Sequence, residues 1–227
     1  MNCVGVPRFI QSVRSSSYTF RSTDIGVVQD LMIHDIDLVN TAFPGNLTDC
    51  RASGISVFGG KEDIAQARLQ FSCGAIANLT ASRCSFVNER SLQIFGTTGF
   101  AAVDCTQQTV KSIEYPDWIM NSNFDFNTLA AEQREYVKQN LFTELLKVQE
   151  SKVEPTNAIL KEQQQWVSRI FKGTPMVNMP ENACEAVAIA DRVIKEIESH
   201  DWQLPEPAAS TIGQIPAELQ PAAKHAA

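Results

Sequence analysis

No stretch of this sequence approaches the roughly 18 to 20 apolar residues that a helix needs to cross a bilayer. Its opening, Met1-Asn-Cys-Val-Gly-Val-Pro-Arg8, lacks the long apolar core of a secretory signal, so a cytoplasmic protein with no membrane contact is expected. Histidine is scarce, at three. The six cysteines, Cys3, Cys50, Cys73, Cys84, Cys105 and Cys184, are scattered without a Cys-x-x-Cys pair. That pattern suggests neither a zinc site nor a disulfide framework, and the cysteines read as small buried apolar residues. There is no cluster of lysine or arginine. With 19 basic against 26 acidic residues the net charge is -7, which argues against nucleic acid as a partner. A small anionic ligand is not excluded, because a few well-placed arginines suffice for one.

What is present is an ordinary globular composition, 44% hydrophobic and 20% charged over 227 residues, enough for one sizeable core. Residues 7–14 alternate apolar and polar and predict an opening strand. From Asp24 to about Asn40, Ile25, Val28, Met32, Ile36 and Val39 recur at steps of three and four, which predicts a helix with Thr23 or Asp24 as N-cap. Phe43-Pro-Gly-Asn-Leu47 breaks that pattern. Short β-like segments follow at 52–58, 64–72, 75–83, 90–96, 100–104 and 109–114, separated by turn residues such as Gly59-Gly60 and Thr97-Thr98-Gly99. Strands this close in sequence pair antiparallel, because a parallel crossover needs a longer connection, so a meandering sheet is expected.

Along 64–72, Ala65, Ala67, Leu69 and Phe71 alternate with Gln66, Arg68, Gln70 and Ser72, giving the sheet one buried face and one available face. Helices at 128–140, 156–172 and 181–199 are the candidates to cover the buried face. Trp166 lies on the stripe of the second and is expected in the core. In the third, Ala183, Val187, Ala190, Ile194 and Ile197 form the stripe. A further strand is possible at 143–149. The domain is taken to span 1–202, with a Pro/Ala-rich tail over 203–227 that has too little apolar content to pack.

The chemistry-bearing string is Asp30-Leu-Met-Ile-His34-Asp35-Ile-Asp37. On an α-helix, positions i, i+4 and i+7 place Asp30, His34 and Asp37 on one face, with Asp35 pointing elsewhere. Apolar neighbours that restrict water tune an imidazole for proton transfer, and a carboxylate one turn away can orient it. On spacing alone, a single histidine on an amphipathic helix is more often a satisfied core or surface residue. Arg14, Arg21 and Arg83 are weaker candidates for phosphate oxygens, since a guanidinium fork matches them. Ser15 to Tyr18 could hydrogen-bond a sugar, or form a plain solvated loop.

The segment from Arg21-Ser-Thr-Asp-Ile-Gly through Asp30, His34 and Asp37 resembles the Asp-x-x-x-His-x-x-Asp helix of the Gfo/Idh/MocA oxidoreductases. The likeness continues through Gly54-Ile-Ser-Val-Phe58, Asp63-Ile-Ala-Gln-Ala-Arg-Leu-Gln-Phe71, Ala77-Asn-Leu-Thr-Ala-Ser-Arg83 and Ala186-Val-Ala-Ile-Ala-Asp-Arg-Val-Ile194. Within the family, the approach to the helix and the Leu-Thr-Ala-Ser-Arg strand look like the UDP-N-acetylglucosamine 3-dehydrogenase branch.

The resemblance implies an α+β C-terminal domain: an open, mostly antiparallel mixed sheet with helices on one face, whose open face makes a dimer or tetramer. It implies that His34 is the acid/base acting on the oxidised hydroxyl and that Asp30 positions the substrate or the imidazole. Asp37, Arg14, Arg21 and Tyr18 are then substrate-side candidates. The implied cofactor is NAD or NADP and the implied ligand a sugar or sugar nucleotide. The family's dinucleotide-binding Rossmann domain carries a Gly-x-Gly-x-x-Gly turn, and this sequence contains no Gly-x-Gly. No cofactor-binding residue is therefore assigned, and the chain alone is expected to be inactive. It is read as a fragment or misplaced start of a longer gene in preference to a natural truncation. The alternative is a non-catalytic sugar-binding or oligomeric scaffold derived from such a domain.

Overall fold

Alternating side chains decide the architecture, because strands with one apolar edge must bury it against something else. The structure, a computed structural model, describes residues 3–21, 24–120, 125–154, 156–173 and 180–201. Eight strands form a single sheet: β1 (Pro7–Ser15), β2 (Leu47–Ile55), β3 (Ile64–Phe71), β4 (Ile76–Ser82), β5 (Glu89–Gly96), β6 (Gly99–Asp104), β7 (Thr109–Glu114) and β8 (Val148–Lys152). Their order is β2-β3-β4-β1-β5-β6-β7-β8. Two antiparallel meanders, β2 to β4 and β5 to β8, are joined by the first strand, which pairs parallel with β4 and antiparallel with β5. The α+β class with an open mixed sheet agrees with expectation. The simple meander does not: β1 lies between β4 and β5, a long-range pairing that local turn signals cannot reveal.

Ala65, Ala67, Leu69 and Phe71 of β3 and Ala77, Leu79 and Ala81 of β4 are buried on the helix side. A π-turn (Val28–Met32) runs into α1 (Ile33–Ala42), and these two together with α5 (Pro180–Ser199) make that cover. Met32, Ile36 and Val39 meet Ala186, Ile189, Ala190 and Val193 over the sheet. α1 ends at Ala42 because Phe43 precedes Pro44, and a residue before proline is driven out of the helical region; Phe43 is extended, at φ -103° and ψ 123°.

Several expectations need correction. The first helix begins at Val28, later than Asp24, and Thr23 lies outside the described residues. α3 (Ala131–Asn140) and α4 (Ala158–Lys172) exist at the foreseen places but do not cover the sheet, and neither buries a residue. Trp166 is 45% exposed, with Ile170 and Phe171 beside it more so. The helical period of α4 marks an amphipathic face correctly, but period carries no information on what that face meets. In α5 the buried stripe is rotated from the expected one, and Val187 faces out. The last strand begins at Val148, after a π-turn over Leu141–Leu145. Trp202 and the tail over 203–227 lie outside the described residues. Among the described residues, no helix is long and apolar enough to cross a membrane.

Candidate functional site

At one end of the sheet the last residues of β1, β2 and β4 come level with the first of β3 and β5: Ser15 pairs with Ser82 and Glu89, and Ile64 with Ser82 and Ile55. The loops 16–21, 56–63 and 83–88 gather there. Ser16 N–H donates to Ser82 O at 2.9 Å and Ser85 N–H to Ser16 O at 3.0 Å. The π-turn carrying Asp30 starts from the same end.

A buried ion pair ties these loops together. Arg83 Nε donates to Asp63 Oδ1 at 2.6 Å, and Arg83 Nη1 donates to Ile25 O at 2.9 Å. The other carboxylate oxygen of Asp63 accepts Val57 N–H at 2.7 Å and Phe58 N–H at 2.9 Å. Asp63 is fully buried and Arg83 is 5% exposed. Burial alone would push the Asp63 carboxyl up, but hydrogen bonds from Phe58, Arg83 and Val57 outweigh it and hold the group below its ordinary value. Arg83 also lies over the Tyr18 ring, 5.4 Å from its centroid, and Tyr18 in turn packs on Phe20 and Phe58 at 4.8 and 4.4 Å. The guanidinium feels the negative charge of Asp30 as well, which sets Asp30, Tyr18 and Arg83 in one neighbourhood.

His34 is exposed, in the first turn of α1, while Asp30 and Asp37 are half-buried. The π-turn alters the spacing on which the one-face expectation rested: Ile33 N–H donates to Val28 O, five residues back, so one residue more than in an α-turn separates successive levels. Among the described residues, no hydrogen bond or ion pair engages the side chains of Asp30, His34 or Asp37, so the imagined carboxylate–imidazole contact is not made. Asp35 turns inward. Its carboxylate accepts Arg14 Nε at 2.7 Å and Arg14 Nη2 at 3.0 Å, a bidentate pair that fixes α1 to β1. The hydrogen bond to Asp35 raises the Arg14 pKa further, against desolvation.

Asp30 thus lies in the π-turn, His34 in the first turn of α1 and Asp37 further along that helix, while Arg83 neighbours both Tyr18 and Asp30. Arg14 lies beneath the helix, occupied by Asp35, and Arg21 is exposed beside residues outside the description. Arg83, a weak candidate for a diphosphate, is taken up by Asp63 and Ile25. A groove of about 670 Å³ lined by Arg51, Gln66, Arg68, Asn78 and His200 shares no residue with this cluster.

Sequence reasoning missed Glu62 and Asp63. A usable signal existed, since the β3–β4 hairpin pairs Ile64 with Ser82, which makes Asp63 and Arg83 the next opposite-charge pair across it. Nothing in the spacing announces Glu62. Its backbone O accepts Val27 N–H at 2.9 Å and its side chain accepts Val28 N–H at 3.2 Å. The cap expected from Thr23 or Asp24 is therefore supplied by a residue distant in sequence.

The sequence profile of the GFO/IDH/MocA C-terminal domain matches residues 6–102. UDP-N-acetylglucosamine 3-dehydrogenase of Acidithiobacillus ferrooxidans is 37% identical over 106 residues, which cover 47% of this chain and 34% of that protein. The solved structure of the enzyme from the same organism superposes with a TM-score of 0.70 at 24% identity, covering 86% of this chain and 55% of that one. A levoglucosan dehydrogenase in complex with NADH superposes with a TM-score of 0.65 at 11% identity, over 87% of this chain and 58% of the other. The chain spans about a third of the curated relative and just over half of the solved chains. Residues 6–102, just under half of this chain, are therefore similar to the GFO/IDH/MocA C-terminal domain.

Proposed function

We propose that this domain is the substrate-binding and catalytic part of an NAD(P)-dependent dehydrogenase acting on a sugar or sugar nucleotide of the UDP-N-acetylhexosamine type. The observation that carries the reading is an exposed His34 in α1 and a half-buried Asp30 in the π-turn before it, neither side chain hydrogen-bonded or ion-paired among the described residues, at the sheet end where three loops converge. An accessible imidazole can take the proton of a hydroxyl as its carbon is oxidised, and a carboxylate one turn away can hold that hydroxyl or the ring. Asp37, Tyr18 and Arg21 are substrate-side candidates, while Arg14 serves through Asp35.

The described residues do not fit the dinucleotide itself. The sequence has no Gly-x-Gly turn to cradle a pyrophosphate, and the loop running from β1 toward the π-turn carries serines and aromatic residues instead. A nicotinamide group accepting hydride would be held by other residues.

The open sheet face supports association with a second copy. Phe9, Phe95 and Phe100 stack across β1, β5 and β6 at 5.8 and 4.6 Å on the side away from α1 and α5, with Ile76 paired beside Phe9.

The test is oxidation of UDP-N-acetylglucosamine with NAD+ or NADP+, by this chain and, where the gene continues upstream, by the longer product. In the active form, His34→Ala or Asp30→Ala is expected to lower turnover by about a hundredfold or more. Unchanged rates in both variants remove the assigned roles. Binding of the sugar nucleotide with no cofactor response in either form would favour the scaffold alternative.

A further inference from the structure

We infer that Glu62 is a positioning residue for Asp30: an acidic side chain from the β2–β3 connection, acting as the missing helix cap, fixes the π-turn that presents Asp30 to a substrate hydroxyl. The inference rests on the dehydrogenase reading above and adds a residue to it.

Besides core packing of Val27 and Val28, three hydrogen bonds among the described residues tie residues 25–28 to the neighbouring loops, and each comes from Glu62 or from Arg83 of the adjacent ion pair. Ile25 O accepts Arg83 Nη1, Val27 N–H donates to Glu62 O, and Val28 N–H donates to the Glu62 carboxylate. Sterics agree: a Cβ on Gly26 would run into the Glu62 carboxylate, so glycine leaves the space in which that carboxylate lies. Gly26 O then accepts the N–H of Asp30 itself at 3.0 Å. The hold on residues 25–28 reaches Asp30 through a single hydrogen bond.

The first N–H groups of a helix have no partner within it and attract an acceptor, preferably an anionic one. Such an acceptor normally comes from the residue just before the helix. Here that place is held by Val27, which has no polar side chain, and the acceptor comes from the far side of a strand pair. The turn it caps is of π type, with the weaker geometry of i to i+5 hydrogen bonding, and so depends more on outside support than an α-turn would. Asp63, fully buried, gives the clamp a fixed base, since its backbone N–H and side chain are both bonded to the β2 end, Ile55, Val57 and Phe58.

Asp63 and Arg83 are too buried for a clean test, because removing either leaves an unpaired charge in the interior. Glu62 is half-buried and offers one. Glu62→Gln keeps an oxygen that can accept Val28 N–H, while Glu62→Ala removes it. Gly26→Ala reaches the same end independently by displacing the flexible carboxylate.

Two readouts are needed: amide hydrogen exchange of Val28 and Asp30, and steady-state turnover by the active form defined above. Glu62→Ala and Gly26→Ala are expected to speed exchange at both amides by about tenfold, the worth of one hydrogen bond to a charged acceptor. They should lower kcat by about tenfold with KM within about twofold. Glu62→Gln should stay near wild type in both. Unchanged exchange in Glu62→Ala overturns the inference, as does faster exchange with unchanged kcat. A rise in KM alone also overturns it, since Glu62 would then be touching substrate. If neither this chain nor the longer product oxidises a UDP-N-acetylhexosamine, the dehydrogenase reading falls and this inference with it. The other adverse results leave that reading standing.

Discussion

Asp63 shows how much one side chain can be asked to do. Its two oxygens accept three hydrogen bonds, from Arg83, Val57 and Phe58, and its own backbone joins β2 to β4. Because these bonds favour the ionised form, the carboxyl titrates lower when folded than when unfolded. A depressed folded value means the stabilisation is complete above the unfolded aspartate value of about 3.9 and is lost as pH falls toward the folded one. The stability gap between wild type and Asp63→Asn, read from urea midpoints, should therefore be flat at neutral pH and narrow below about pH 4. A gap independent of pH would mean that the charge of Asp63 is not what holds the loops. No buried side-chain nitrogen or oxygen among the described residues lacks a partner, so the acidic and basic groups inside the domain are there in matched sets.

Among the elements, α1 carries His34 and Asp37, and a second ion pair governs it. Arg14 on β1 and Asp35 on α1 form a two-pronged contact with side chains 15% and 6% exposed. Removing one member of a nearly buried pair leaves the other charge uncompensated, which typically costs about 3 kcal/mol or more. Arg14→Met should lose about that much in urea unfolding, and Arg14→Met with Asp35→Leu should recover a large part of it. A loss below about 1 kcal/mol in the single variant would show that apolar packing of Ile36 and Val39 fixes the helix without the pair.

The sequence made much of this element legible. Its apolar steps and the end at Pro44 are readable from local rules, as is the placing of Asp35 on a different face from His34, though not which of the two turns inward. The π-turn, the remote cap from Glu62 and the partner of Asp35 were not readable, because each depends on which strand or loop lies opposite in space. The same limit explains α4. Its period marks an amphipathic helix, yet Ile159, Trp166, Ile170 and Phe171 remain exposed on it, and periodicity is blind to the difference between a covered and an uncovered face.

At the scale of the whole molecule the helices cover only part of what the sheet offers. α1 and α5 lie over β1 to β4, and the opposite face is left with its aromatic row. Association through that row predicts a dimer or larger species in sedimentation at micromolar concentration. Phe95→Lys, at a 36% exposed position, should shift it toward monomer without unfolding the domain. A strict monomer in the wild type would sink the association proposal. The strand pattern made the existence of a free face foreseeable, since Gln66, Arg68 and Gln70 alternate with the core residues of β3. The position of β1 was not foreseeable, and it determines which side chains form the row.

That central place of β1 has a consequence for how the domain comes into being. Phe9 pairs with Ile76 on one side and Phe95 on the other, so this strand, made before either neighbour, lacks its full set of partners until both hairpin systems have emerged. Pairings between segments so far apart along the chain form slowly, and an orphan strand is a template for the wrong partner in the meantime. β1 acts as the keystone of an arch whose two flanks are built after it. Yield on refolding should be governed by how long that keystone remains bare.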